Sequence, residues 1–178
     1  KKGAKINKSG KPGSSMNTIE TAVYKGNVEI VKLLLNLGAD INRGFCVAYG
    51  GVPLNIAINK NNTKMFYFLI ENGAALNIEW WKKENYLVEY SPLAQAIKDG
   101  NVTLAEILIK KGADISKVER KSDKTALMYA VSNEKLKIVE LLLKYNAPKE
   151  IEMDGVTALG IAKEKNNRDI INLLEGIQ

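Results

Sequence analysis

The feature that most constrains this chain is one phrase of sequence that recurs five times with small edits. It reads NTIETAVYKGNVEIVKLLLNLGADIN from Asn17, VPLNIAINKNNTKMFYFLIENGAALN from Val52 and SPLAQAIKDGNVTLAEILIKKGADIS from Ser91. It returns as TALMYAVSNEKLKIVELLLKYNAP from Thr125 and as TALGIAKEKNNRDIINLLE from Thr157. The matching alanines Ala22, Ala57, Ala96, Ala130 and Ala162 lie 35, 39, 34 and 32 residues apart. A period of this size marks a solenoid, in which each unit packs on its neighbours and function sits on a surface rather than in a buried pocket.

Each unit reads as a short helix, a tight turn, a second helix and an extended excursion. The first helix, Pro92 to Lys98 in the third copy, starts with proline, where a missing amide N–H costs nothing. The alanine in its middle lets a second helix approach closely. Gly26-Asn27 and Gly100-Asn101 are turn residues that tolerate a left-handed backbone. The second helix carries the densest apolar signal, as in Ile30, Val31, Leu33, Leu34 and Leu35, or Ile138, Val139, Leu141, Leu142 and Leu143. That face is too wide for one partner helix and fits a unit packed on two sides. Gly38, Gly73 and Gly112 end the second helices.

In these residues the chain resembles the ankyrin repeat family. The family's T-P-L-H-x-A signature is matched by VPLNIA, SPLAQA, TALMYA and TALGIA, and its glycine-alanine-aspartate ending by Gly38-Ala39-Asp40 and Gly112-Ala113-Asp114. The signature histidine is absent, replaced by Glu20, Asn55, Ala94, Met128 and Gly160, and alanine follows Thr125 and Thr157 in place of proline. Hydrogen bonds made through that histidine therefore do not carry over. The resemblance covers essentially the whole chain. It implies an all-α repeat solenoid, an ankyrin repeat array of helix-turn-helix units joined by β-hairpin-like fingers. It also implies a non-catalytic module that binds a protein or peptide through a concave face lined by first helices, and through its fingers.

The copies divide the single repeat domain, residues 1–178, into a tail and finger at 1–16 and repeats at 17–51, 52–90, 91–124, 125–156 and 157–178. Lys1 to Asn7 aligns with Lys110 to Ser116, the tail of a repeat, and Gly3 lies 35 residues before Gly38. The expectation is a parent chain carrying at least one more repeat upstream. In the last copy Glu175 and Gly176 replace the apolar continuation, as a polar capping repeat would.

Composition narrows the chemistry. The chain contains no histidine, which removes Ser-His-Asp and Cys-His nucleophile arrangements and the commonest metal ligand. Cys46 is the only cysteine, so neither an intramolecular disulfide nor a thiolate zinc site can form, and a reducing compartment is indicated. No phosphate-cradling or dinucleotide fingerprint is present. Glu150, Glu152 and Asp154 cluster on a predicted turn and read as solvated charges. The expectation is no enzyme, no cofactor and no metal. No apolar run is long enough to span a bilayer, so no membrane insertion is expected.

The net charge of +6 is concentrated at one end. Lys1, Lys2, Lys5, Lys8 and Lys11 precede any acidic residue, leaving 21 basic against 20 acidic residues from position 14 onward. The body is thus electrically mixed, which disfavours nucleic acid as a partner. Polyanion binding through the lysine-rich start is one alternative function. A targeting or spacer arm of a larger protein, with an enzyme domain elsewhere, is another. A monomer in the cytoplasm is expected, with a secreted effector delivered into a host cell as the alternative location.

Residues just before the inter-helix turns are expected to line the binding face, among them Tyr24, Lys25, Lys60 and Lys98. The longest interval, between Ala57 and Ala96, carries an extended finger with Trp80, Trp81, Tyr86 and Tyr90; the preceding finger adds Phe45 and Tyr49. Aromatic residues dominate binding hot spots because they bury large area at little entropic cost. The competing expectation is that these aromatics pack on one another as a satellite core.

Overall fold

The computed structural model describes residues 6–7, 16–44, 51–77, 90–119 and 123–176, which fall into two compact units, Lys1–Pro92 and Leu93–Gln178. The described residues hold ten α-helices in short-long pairs: α1 (Thr18–Tyr24) with α2 (Val28–Asn36), α3 (Pro53–Asn59) with α4 (Thr63–Glu71), and α5 (Pro92–Lys98) with α6 (Val102–Lys110). They continue as α7 (Ala126–Ser132) with α8 (Leu136–Lys144) and α9 (Ala158–Glu164) with α10 (Arg168–Glu175). The architecture is an all-α repeat array. Its strand content among the described residues is one antiparallel pair, β1 (Val118–Glu119) and β2 (Lys124–Thr125), and an isolated bridge between Met153 and Val156. No described helix is long and apolar enough to cross a membrane.

Caps set the helix lengths. Asn27, Asn62, Asn101 and Asn167 each accept a hydrogen bond from the backbone N–H three residues on, at 3.0 to 3.2 Å. This satisfies one of the N–H groups that a helix start leaves without a partner. Lys135 breaks the series and makes no side-chain cap bond. The first helices use Asn17, Thr125 and Thr157 in the same way.

The turn inside each pair needs one left-handed residue. Glycine supplies it at Gly26 (φ 73°) and Gly100 (φ 71°), whereas Asn61, Glu134 and Asn166 hold φ of 50°, 53° and 54° despite their Cβ atoms. Asparagine tolerates this region through local hydrogen bonding; for glutamate the conformation is strained. Gly44 meets a different constraint, close approach: a Cβ there would run into the backbone carbonyl of Gly51.

The cores follow the apolar periodicity. In the first unit Leu54, Ile56, Ile58, Met65, Phe66 and Leu69 are fully buried, and α1 packs on α3. In the second unit Leu104, Leu108, Leu127, Ile138 and Leu142 are buried where α7 packs on α9 and α6 on α8. Polar side chains tie consecutive repeats. Ala75 N–H donates to Asn42 Oδ1 at 2.7 Å, and Asp40 N–H donates to Asn7 Oδ1 at 2.8 Å while Asn7 Nδ2 donates to the Gly38 carbonyl.

The absent signature histidine has two described substitutes that bond in different ways. Glu20, fully buried, accepts from the Asn17 N–H at 2.6 Å and closes a capping box on α1. Asn55 instead reaches forward, its Nδ2 donating to the Tyr90 carbonyl at 2.8 Å.

Candidate functional site

The expected binding residues separate by position. In the first unit Tyr24 and Lys60 come together, the Lys60 ammonium lying 4.3 Å from the Tyr24 ring centroid. Each ends its own first helix, so stacking α1 on α3 sets the two side by side. Lys25 lines a cavity of about 610 Å³ with Met16, Thr21, Ala22 and Ile30. Lys98 occupies the last turn of α5 in the second unit.

Tyr90 differs from the expectation. It is only 8 % exposed, held at the entrance to α5 by the Asn55 bond to its carbonyl, and so it acts as a packing residue. Phe45, Tyr49, Trp80, Trp81 and Tyr86 lie outside the described residues, as does Cys46.

The second unit contains an open groove of about 620 Å³ that none of the expected binding residues named above lines. Ser132, Glu164 and Lys165, at the ends of α7 and α9, line it. Met128 and Ile161, buried on the same two helices, contribute apolar floor. The remaining wall comes from the fingers: Asp123 and Lys124 from one, Met153, Asp154 and Val156 from the next. Val156 is 40 % exposed, which is high for an aliphatic side chain.

The second finger owes its shape to Asp154-Gly155. Both residues have positive φ, 51° and 77°, as the primed turns of tight hairpins require. Met153 and Val156 exchange hydrogen bonds across it, both at 2.9 Å. An Asp-Gly pair between apolar residues is a strong hairpin signal. Grouping Asp154 with its neighbouring glutamates as solvated turn charge missed it.

Charge along the groove is uneven. Lys165 lies 3.3 Å from Glu134, and Lys124 stands opposite Glu119 in the strand register. Among the described residues no ion pair engages Asp123, Asp154 or Glu164.

Elsewhere in this unit Glu106 gathers Lys110 (3.1 Å), Lys144 (3.7 Å) and the Tyr145 hydroxyl (3.0 Å). The hydrogen bond from Lys110, followed by that from Tyr145, holds the Glu106 carboxyl below its ordinary value. This cluster links α6 to the end of α8 and is electrostatically satisfied. Among the described residues no group of three or more carboxylate or cysteine side chains is placed to hold a metal ion.

Comparison with known proteins agrees with the repeat geometry. The family model for ankyrin repeats (3 copies) matches residues 2–80, 19–119 and 93–178. An ankyrin repeat protein of fowlpox virus (strain NVSL) is 30% identical over 159 residues, covering 86% of this chain and 45% of its own length. An ankyrin repeat-containing protein of Treponema pallidum is 31% identical over 166 residues, covering 93% and 53%. An ankyrin repeat protein of Borreliella burgdorferi is 30% identical over 153 residues, covering 86% and 63%. The chain therefore spans roughly half to three-fifths of the length of these relatives. Such repeats are in general protein-binding modules and typically non-catalytic. With family matches along nearly its whole length and the paired, asparagine-capped helices described above, the chain belongs to the ankyrin repeat family.

Proposed function

We propose that this chain is a non-catalytic interaction module that takes a segment of a protein partner into the grooves between its fingers and its first helices. The observation that carries the reading is the groove of the second unit, where a solvent-exposed Val156 stands over an apolar floor. An apolar floor bordered by a polar and charged rim is the usual anatomy of a protein-binding surface. The Tyr24–Lys60 pair in the first unit supplies a second contact of the same kind. The aromatic finger at 78–90 belongs to this reading through its tryptophans.

A photo-crosslinking amino acid tests the placement. Introduced at Val156, and separately at Tyr24, it should trap one and the same partner; introduced at Glu140, an exposed position on α8, it should trap none. Equal trapping at all three positions would remove the groove from the proposal. Replacing Trp80 or Trp81 by alanine should weaken that partner's affinity by at least about 2 kcal/mol if the finger contributes a hot spot.

A further inference from the structure

The groove's lining selects a chemistry as well as a location. Its apolar part contains Met128, Met153, Val156 and Ile161. Two of these are methionines, whose unbranched and polarizable side chains repack around differing shapes. Such a floor accepts an aliphatic or aromatic side chain without demanding one identity.

The charged rim is more selective. Of the five charged residues on the groove three are carboxylates and two are lysines, and one of the lysines, Lys165, already meets Glu134 at 3.3 Å. Asp123, Asp154 and Glu164 make no ion pair among the described residues, so carboxylates outnumber the one unengaged lysine, Lys124, by three to one. Asp154 is set beside the exposed Val156 by the hairpin turn, and Glu164 ends the helix that carries Ile161. Apolar floor and acidic rim are thus adjacent on the same two elements.

We infer that the occupant of this groove is a peptide segment in which an apolar side chain is flanked by lysine or arginine. The apolar residue sits on Met128, Met153, Val156 and Ile161, and the cation next to it lies against Asp154 and Glu164. An acidic segment is rejected, because it would set like charges together where apolar contact has displaced water. The inference rests on the groove being the binding surface, and it adds the sign of the partner's charge.

A random dodecapeptide library displayed on phage and selected on the intact chain tests both levels separately. The expected winners carry an apolar residue with lysine or arginine within two positions, and their affinity falls as salt rises. Asp154→Asn with Glu164→Gln should weaken these peptides by about fivefold and remove the cationic bias on reselection. Both replaced side chains are exposed, so thermal unfolding should be unchanged. Val156→Asp should abolish binding of every groove peptide. Winners that are neutral or acidic beside the apolar residue, yet lost on Val156→Asp, would overturn the charge inference and leave the groove reading standing. Winners indifferent to Val156→Asp, or no winners at all, would overturn both.

Discussion

At the scale of single residues, the repeat compares five solutions to one local problem. Four second helices begin with a capping asparagine, and α8 begins with Lys135, which leaves the Ile138 N–H without a side-chain cap. Lys135→Asn should therefore raise stability by about 1 kcal/mol, read as a higher urea midpoint at unchanged slope. The histidine position shows the converse. Its substitutes Glu20 and Asn55 both bond, one within α1's own cap and the other to the carbonyl of Tyr90, 35 residues on. The sequence supplied the residue types. Choosing between the two partners needed the fold, because a carboxylate can only accept while an amide also donates.

At the scale of elements, the same helix position differs in value from copy to copy. Met65, Leu104, Ile138 and Ile170 are 0%, 2%, 1% and 0% exposed, whereas their equivalent Ile30 on α2 is 47% exposed. Ile138→Ala should cost about 2–5 kcal/mol, the loss of a buried side chain plus the cavity it leaves. Ile30→Ala should cost less than about 1 kcal/mol, because much of that side chain already meets water. Denaturant unfolding of the two variants checks the contrast. The α6–α8 link makes a further prediction. Its Glu106 carboxyl titrates below the ordinary 4.5, so the folded state holds that proton less tightly than the unfolded chain. The stability contributed is full above the ordinary value and is lost as pH falls through the depressed one. Glu106→Gln should consequently flatten the decline in unfolding temperature as the pH falls below the ordinary carboxylate value of 4.5, relative to the parent chain.

For the whole molecule, charge is the property the sequence locates outright. Removing residues 1–13 deletes five lysines and no acid, taking the net charge from +6 to +1. Retention on a heparin column should collapse on that truncation; undiminished retention would place the polyanion contact in the body of the chain. The period of the repeat and the helix pairing were likewise legible, because the period-3.6 apolar pattern and the Gly-Asn turns act over a few residues. What the sequence alone determined was therefore local and periodic: five copies of a helix pair, with an aromatic interruption between Ala57 and Ala96. Only the tertiary structure decided which residues meet. It buried Tyr90, set Lys60 over Tyr24, uncovered Ile30 and Val156, and collected Met128, Met153 and Ile161 from two helices and a finger into one groove. Those outcomes depend on stacking between consecutive repeats, where residues about 33 positions apart become neighbours, and no pattern within one copy encodes that proximity.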